Sequence, residues 1–152
     1  MIKLVILDID GVLTDGKKYY GQDGMPFAKT YCDKDFTAIK RLRGAGVSVC
    51  FLSGDNVVNE AMAKNRNIDF YYARGKDKAD FVENFAKTYN TNAKDMLYIG
   101  DDLFDASIMK KVGHAYCPAN AIMEMVDLLL QRKLVNDCTF QDIENLDKNE
   151  KF

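Results

Sequence analysis

Residues 1–16 read MIKLVILDIDGVLTDG, an apolar run followed by four polar residues of note: Asp8, Asp10, Thr14 and Asp15. Residues 2–7 are apolar apart from Lys3, as expected of a strand buried on both faces. Asp8 and Asp10 follow at once, and their side chains point the same way if the chain stays extended. Carboxylates at the end of an apolar strand are costly unless they are solvated, paired or bound to a cation.

Two interpretations of these aspartates stand side by side. In one, Asp8 is a nucleophile and a magnesium ligand, and Asp10 is the general acid and base of a group transfer. In the other, both are turn-forming residues of a capped loop. Residues 8–10 alone do not separate the two, because short motifs often match by chance.

Short apolar runs and helical repeats alternate along the rest of the chain. Further apolar runs occupy residues 47–52, 68–72, 96–99 and 114–117, and amphipathic stretches occupy residues 36–43, 57–65, 78–89, 103–111 and 121–130. This alternation predicts an α/β fold with right-handed crossovers and a parallel sheet covered on both faces. Ligands of such a sheet bind outside the carboxyl ends of its strands.

Residues 17–31 depart from the alternation. Two extended stretches, KKYYG and MPFAKTY, surround turn residues and predict a small β-hairpin after the first strand. No other insertion is long enough for a separate cap domain, and no linker divides residues 1–152, so we predict a single domain. The tail, at about residues 135–152, contains Phe140, Ile143 and Leu146, whose spacing predicts a short amphipathic helix.

Two further strand ends carry groups suited to a phosphate. Ser53 and Gly54 follow the second apolar run, where a hydroxyl and a backbone N–H can donate to an anion. Capping of a helix by Ser53 or Asp55 explains the same residues. Lys78 begins a helical stretch, where the helix dipole does not favour a lysine. This mismatch indicates a site role for Lys78, whereas nearby Arg74 is either surface charge or a substrate contact.

Three acids, Asp101, Asp102 and Asp105, follow the apolar run at residues 96–99. Helix capping explains one such aspartate well and three poorly. Carboxylate-lined sites suit magnesium, which keeps several waters and also takes phosphate oxygens as ligands.

Bulk composition excludes several classes of function. The formal net charge of −2 argues against a nucleic-acid backbone as the main partner. Four cysteines without a CxxC pair and a single histidine give little support to a zinc site. The apolar run at the start is too short for a signal peptide or a membrane span. We therefore expect a cytoplasmic protein with no membrane partner.

Taken in chain order, these elements resemble the four motifs of the haloacid dehalogenase superfamily of phosphohydrolases. DIDGVLTDG at residues 8–16 is similar to its first motif, Ser53 to the second, Lys78 to the third and GDDLFD at residues 100–105 to the fourth. The resemblance covers residues 1 to about 130. It implies a three-layer α/β sandwich around a Rossmann-like parallel sheet, and removal of phosphate through a phospho-aspartate on Asp8.

The resemblance also implies a role for each matching residue. The catalytic groups would be Asp8, Asp10, Ser53 and Lys78, and the substrate-binding groups Ser53, Gly54, Asp55, Arg74 and Lys78. The Mg²⁺ ligands would be Asp8, the backbone carbonyl of Asp10 and Asp101, with Asp102 and Asp105 as further members.

GVLTDG, the hairpin and the lack of a cap resemble one subgroup of this superfamily. It contains the phosphatases of 3-deoxy-octulosonate 8-phosphate and relatives that act on nine-carbon, sialic-type sugar phosphates. Membership implies a keto sugar acid phosphate as substrate and a homotetramer built around the hairpins. Two features depart from the pattern: Gly54 is followed by Asp55 where octulosonate enzymes usually carry arginine, and a glycine-rich stretch near the C-terminus is missing.

Three alternatives stay open on sequence grounds. A receiver-type signalling domain shares the sheet, acids and lysine, but would place its phosphorylated aspartate at the end of a middle strand. A non-catalytic oligomerisation module would keep the fold without the activity. A phosphatase for another small phosphometabolite would use the same residues.

Overall fold

The computed structural model describes residues 1–131. Its main sheet has five parallel strands within this part of the chain, in the order β5-β4-β1-β6-β7. The strands are β1 (Leu4–Leu7), β4 (Ser48–Ser53), β5 (Asp69–Tyr72), β6 (Met96–Ile99) and β7 (His114–Tyr116). The parallel sheet and α/β class predicted from the sequence are confirmed.

Helices connect the strands, as the alternation predicts. They are α1 (Asp33–Gly44), α2 (Val57–Asn65), α3 (Val82–Thr88), α4 (Ala106–Lys111) and α5 (Met123–Gln131), with short 3₁₀ turns at Lys78–Phe81, Ala93–Asp95 and Leu103–Asp105. Two of these turns lead directly into α3 and α4, so Lys78 and Asp105 lie where the chain leaves a loop and enters a helix.

Side chains on the strands alternate between two apolar layers, one on each face of the sheet. Leu4 and Ile6 of β1 pack with the layer formed by α3, α4 and α5, whereas Val5 and Leu7 pack with α1 and α2. All four side chains are fully buried. Burial of a strand on both faces explains why residues 2–7 show no polar alternation, and it gives the three-layer arrangement.

The predicted hairpin is present after β1. Its strands, β2 (Tyr19–Tyr20) and β3 (Pro26–Ala28), are antiparallel with an irregular register at Tyr19 and Tyr20, and a bridge between Thr14 and Tyr31 closes its base. Tyr19, Tyr20 and Phe27 are each more than half exposed. The helix predicted within the C-terminal tail lies outside the described residues. No helix among residues 1–131 is long and apolar enough to cross a membrane.

Candidate active site

Three neighbouring strands deliver the predicted site residues to one edge of the sheet. β1 lies between β4 and β6, and Leu7 is in register with Phe51 on one side and Ile99 on the other. Because parallel strands end at the same edge, Asp8, Ser53 and Asp101 emerge side by side. The sequence separates them by tens of residues, and the sheet brings them together.

Lys78 lies at the centre of a buried ion cluster. Its Nζ donates to Asp8 Oδ2 at 2.8 Å, to Asp105 Oδ1 at 2.6 Å and to the Tyr98 hydroxyl at 3.1 Å. The Lys78 side chain is only 6% exposed and that of Asp105 is fully buried. A buried ammonium group needs such partners, since its three N–H donors are otherwise cut off from water.

Asp105 holds this cluster together through four accepted hydrogen bonds. Oδ1 accepts from Lys78 and from the Tyr98 hydroxyl, and Oδ2 accepts from the backbone N–H groups of Asp101 and Asp102. The carboxylate therefore fixes the turn after β6 and orients Lys78 toward Asp8. Gly100 makes room for it, because a Cβ at residue 100 would lie 2.3 Å from an Asp105 oxygen.

Burial and crowding of negative charge dominate the electrostatics of this cluster. Burial, together with Asp105, raises the pKa of Asp8 to about 7 despite the opposing effect of Lys78. Burial and the nearby Asp105 and Asp102 raise the pKa of Asp101 to about 6. Burial disfavours charge on Lys78, but Asp8 and Asp105 outweigh it and raise the Lys78 pKa. The charged forms of Asp8 and Asp101 are therefore disfavoured, by burial first and by the neighbouring carboxylates second.

The residues present fit a divalent cation. Oxygens of Asp8, Asp101 and Asp105 lie within 4.8 Å of one another, and a hard cation favours such ligands. The Asp101 carboxylate lies directly against the backbone of Gly11, where a Cβ would come within 1.8 Å of its oxygen. Asp102 is not part of this group, and its side chain accepts from Leu103 N and caps the following turn.

Asp10 belongs to a second cluster, built with the hairpin and α2. Lys29 Nζ lies 2.8 Å from Asp10 Oδ1 and 3.0 Å from Oδ2, and only the contact with Oδ2 has hydrogen-bond geometry. Asn59 Nδ2 also donates to Asp10 Oδ2, at 3.0 Å, and the Asn59 residue is fully buried. Tyr31 donates its hydroxyl proton to Asn59 Oδ1. Residues of two different elements thus hold one carboxylate.

Asp55 is paired with two lysines of the hairpin. Its Oδ2 accepts from Lys18 Nζ at 2.8 Å and from Lys29 Nζ at 2.9 Å. Burial alone would raise the pKa of Asp55, but the hydrogen bonds and charges of these ammonium groups lower it to about 2. The acid that follows Gly54 is therefore held as a carboxylate by cations from residues 17–31.

Ser53 presents its hydroxyl at the end of β4. Oγ accepts from Asn59 Nδ2 at 3.1 Å and from Asp55 N at 3.2 Å. Both contacts use the oxygen as an acceptor, so the hydroxyl proton stays available to donate to an anion. The Ser53 residue is 1% exposed, so this donor lies at the floor of the site.

These residues line an open cleft of about 990 Å³. Asp8, Asp10, Ser53, Lys78 and Asp101 form its floor, and its wall includes Lys18, Tyr20, Gly54, Asp55, Arg74, Lys76 and Phe104. Arg74 is exposed at the rim. The cleft therefore combines a buried acidic floor with a wall that carries several cations.

Five polar residues of the site were not predicted from the sequence: Lys18, Lys29, Tyr31, Asn59 and Tyr98. The signal in the hairpin was the position of Lys29 itself, in an extended stretch that follows the acidic motif of residues 8–10. Phe27 would share its face of an ideal strand, yet the two side chains differ in burial. Phe27 is 67% exposed, whereas the Lys29 side chain is completely buried. A lysine in an extended stretch beside an acidic motif was thus a candidate partner for Asp10 or Asp55.

Comparisons with known proteins agree with this geometry. Residues 55–129 match the family model of the haloacid dehalogenase-like hydrolases. The chain is 31% identical over 121 residues to the 3-deoxy-D-manno-octulosonate 8-phosphate phosphatase of Haemophilus influenzae, a match that covers 79% of this chain and 67% of that protein. The Yersinia pestis enzyme is also 31% identical over 121 residues, and the match covers 79% of this chain and 64% of that enzyme.

Solved structures show the same relationship. The cobalt-bound form of the Haemophilus influenzae phosphatase superposes with a TM-score of 0.77 at 30% identity, over 84% of this chain and 74% of that one. The Moraxella catarrhalis enzyme, solved with magnesium, phosphate and a KDO molecule, gives 0.72 at 25% identity, over 80% and 70%. Fold, site and relatives together show that the chain belongs to the haloacid dehalogenase-like hydrolases, on their phosphatase branch.

Proposed function

We propose that this protein hydrolyses a phosphate monoester through a phospho-aspartate on Asp8, with Mg²⁺ as cofactor. The observation that carries the proposal is the 2.8 Å contact between Lys78 Nζ and Asp8 Oδ2, beside Asp101 at the carboxyl edge of β1 and β6. The contact orients one carboxylate oxygen while Asp8 Oδ1 accepts from Ile9 N. A nucleophile held in this way meets the main demand of phosphoryl transfer, which is positioning.

In the first step, an Asp8 oxygen attacks phosphorus and the bond from phosphorus to the substrate oxygen breaks. Asp10 gives its proton to the departing oxygen, so an alcohol leaves instead of an alkoxide. Ser53 and Lys78 donate hydrogen bonds to phosphate oxygens and stabilise the charge that develops there. The phosphoryl group is then bound to Asp8.

In the second step, Asp10 takes a proton from water and the water oxygen attacks phosphorus. The bond between phosphorus and Asp8 breaks, inorganic phosphate leaves, and Asp8 returns as a carboxylate. Asp10 ends protonated and ready for the next cycle. One residue thus acts first as acid and then as base.

Asp8, Asp101 and the backbone carbonyl of Asp10 would hold the metal, with Asp105 next to them. A bound divalent cation supplies charge neutralisation for the carboxylates and the phosphate. Asp102, which caps its own turn, would not be needed as a ligand.

The proposed substrate is an eight- or nine-carbon keto sugar acid phosphate. The relatives named above act, by their names, on an eight-carbon sugar acid phosphate. The cleft has room for a ligand of this size. Arg74 and Lys76 stand at the wall as partners for a carboxylate of the substrate. Asp55 favours a hydroxyl or amino group of the substrate near Ser53, since a carboxylate repels anions.

A homotetramer that buries the exposed Tyr19, Tyr20 and Phe27 of the hairpin also forms part of the proposal. Large apolar side chains gathered on a small ribbon are unusual on a free surface. Light scattering should give four times the chain mass, and Phe27→Asp should lower it. A single-chain mass for the unmodified protein at micromolar concentration would remove the tetramer from the proposal.

Phosphate release from a panel of sugar phosphates tests the function. The panel contains 3-deoxy-octulosonate 8-phosphate, nine-carbon sugar acid 9-phosphates and common hexose phosphates, each assayed with Mg²⁺ and with EDTA. We expect release that needs both Mg²⁺ and Asp8, with Asp8→Asn lowering kcat by at least about a thousandfold, since it removes the nucleophile. Preference for a hexose phosphate would retain the mechanism and replace the substrate class.

If the protein is folded and binds Mg²⁺ but releases phosphate from none of these substrates, the non-catalytic module is favoured instead. The receiver-type alternative has no support in the structure. It would require phosphorylation at Asp55, yet Asp55 lies two residues beyond β4, which is not the middle strand, and it is tied to Lys18 and Lys29. The chain also belongs to a hydrolase family.

A further inference from the structure

Lys29 is a lysine of the hairpin whose ammonium group is buried inside the site. Its side chain is completely excluded from solvent, although it follows the exposed strand β3. Nζ donates to three acceptors: Asp10 Oδ2 at 3.0 Å, Asp55 Oδ2 at 2.9 Å and Asn59 Oδ1 at 2.9 Å. These contacts occupy all three of its N–H donors.

Each of these three acceptors has another partner, but the three differ in how far they depend on Lys29. Asp55 already accepts from Lys18 Nζ, and Asn59 Oδ1 already accepts from the Tyr31 hydroxyl. Asp10 depends more heavily on Lys29. Both Asp10 oxygens lie within 3.0 Å of Nζ. The other donor to Oδ2 is Asn59 Nδ2, and the oxygen of the same amide group, Oδ1, accepts from Lys29 Nζ. The orientation of the Asp10 carboxylate therefore depends on a residue of the hairpin.

We propose that Lys29 is the positioning residue of the acid–base step: it holds Asp10 so that its carboxyl group faces the leaving oxygen and then the attacking water. The inference rests on the proposed function, because it assigns Asp10 the proton transfers described above. It also gives the hairpin a role within its own subunit that does not require oligomerisation.

The chemistry of the two steps separates this role from a purely structural one. An alkyl phosphate needs a proton on its leaving oxygen, so displaced Asp10 slows both steps. p-Nitrophenyl phosphate releases a stable phenolate without a proton, so displaced Asp10 slows only the hydrolysis of the phospho-aspartate. A variant with a misplaced Asp10 should then release one p-nitrophenolate quickly and later ones slowly.

The experiment compares Lys29→Met with Lys17→Met in stopped-flow and steady-state assays with Mg²⁺. Lys17 also lies at the base of the hairpin, but its side chain is 79% exposed. Within residues 1–131 it forms an ion pair with the surface residue Asp15. For Lys29→Met we expect a burst of about one p-nitrophenolate per chain, followed by turnover at least about tenfold slower than wild type, within the range of general acid–base effects. With the best alkyl phosphate, the turnover of Lys29→Met should fall at least as far, and no burst should appear. The control variant Lys17→Met should match wild type with both substrates.

Lys29→Met leaves the Asp10 and Asp55 carboxylates together without their shared cation, so its fold is checked by circular dichroism. Lys29→Met/Asp55→Asn removes one charge of each sign and tests the same point with the local net charge preserved. The turnover of the double variant is compared with that of Asp55→Asn alone. A burst followed by slower turnover in the double variant supports the proposal.

Two results would overturn it. One is turnover of both substrates within twofold of Lys17→Met. The other is an equal loss of burst rate and turnover, which would indicate general damage to the site. Absence of phosphate release by the wild-type protein would instead count against the proposed function, so the two failures are distinguishable.

Discussion

Lys78 is the residue on which the charge balance of the floor depends. Its ammonium group contacts Asp8 and Asp105, and a third carboxylate, Asp101, stands nearby. Without metal, the raised pKa values of Asp8 and Asp101 show that repulsion and burial already disfavour their charged forms. The lysine therefore stabilises the folded protein and also orients the Asp8 carboxylate.

Replacing Lys78 by Met should cost both stability and activity. Removal of one partner from a buried ion pair leaves an uncompensated charge, so we expect the free energy of unfolding to fall by about 3 kcal/mol at about pH 8. Urea denaturation measures it. Lys87→Met, which changes an exposed lysine of α3, is the matched control. A difference of less than about 1 kcal/mol between the two variants would contradict this account.

Ser53 allows a test in which binding changes more than stability. Its Oγ accepts two hydrogen bonds and keeps its proton for the phosphate. Loss of a hydrogen bond to a charged group is worth about 1.5–3 kcal/mol, so Ser53→Ala should lower kcat/KM at least about tenfold. The control, Ser48→Ala, changes the other end of the same strand, and equal kinetics for both variants would show that the hydroxyl does not contact phosphate.

At the scale of elements, the turn after β6 is built around the buried Asp105 carboxylate. Gly100 leaves the space that this carboxylate occupies, and its N–H donates to Tyr116 O of β7. The turn therefore links strands β6 and β7 to the acidic group of Asp8, Asp101 and Asp105. A small backbone shift in this turn should displace the Asp105 carboxylate and, through their hydrogen bond, the Lys78 ammonium group.

Gly100→Ala tests this link. The added Cβ would lie 2.3 Å from an Asp105 oxygen, and Asp105 is fixed by four hydrogen bonds. We expect a loss of about 1–3 kcal/mol in the free energy of unfolding, as for overpacking in a core, together with weaker Mg²⁺ binding by calorimetry. Gly44→Ala in α1, where nothing lies within 4 Å of the new Cβ, should be neutral or stabilising. Similar values for both variants would mean that Asp105 adapts freely.

The elements of the sheet could be predicted from sequence because their patterns are local. Residues 96–99 are apolar and become β6, and residues 57–65 have helical spacing and become α2 within the same bounds. The hairpin was also predicted from its turn residues. Its inward-facing lysines could not be placed, because the contact between Lys29 and Asp10 depends on how the ribbon folds back over the sheet edge.

The residues of the candidate site likewise fall into two groups: those that local sequence patterns predict and those that they do not. Asp8, Ser53, Lys78 and Asp101 lie at strand ends or helix starts, and the topology of a parallel sheet brings such positions together. Asn59 and Tyr98 lie inside α2 and β6, where a polar residue has no local signal of function. Arg74 and Asp55 were predicted as substrate contacts. Arg74 is exposed at the rim and Asp55 is neutralised by two lysines, and their role toward substrate stays a prediction.

At the scale of the whole molecule, metal binding should couple stability to pH. Asp8 has a folded pKa of about 7, above its ordinary 3.8, and Asp101 one of about 6. A carboxyl group whose pKa is raised by folding makes the metal-free protein less stable as pH rises from the ordinary to the folded value. Mg²⁺ relieves this repulsion, and protons compete with it below about pH 6.

We therefore expect Mg²⁺ to raise the melting temperature more at about pH 8 than at about pH 5, since ligand binding stabilises the folded state in proportion to its effective affinity. Differential scanning fluorimetry with Mg²⁺ or EDTA measures the shift. Asp101→Asn should reduce the shift at the higher pH. An equal shift at both values would show that Asp8 and Asp101 do not hold the ion.

The central position of β1 has a consequence for the time scales on which the site opens. β1 is hydrogen-bonded to β4 and β6 and buried on both faces, so its amide hydrogens should exchange with deuterium only when the whole domain unfolds. The ribbon at residues 17–31, exposed and short, should exchange through local opening. Asp10 lies between these two regions. The side of the cleft formed by β1 should open only when the whole domain unfolds, whereas the side formed by residues 17–31 should open and close many times before that happens.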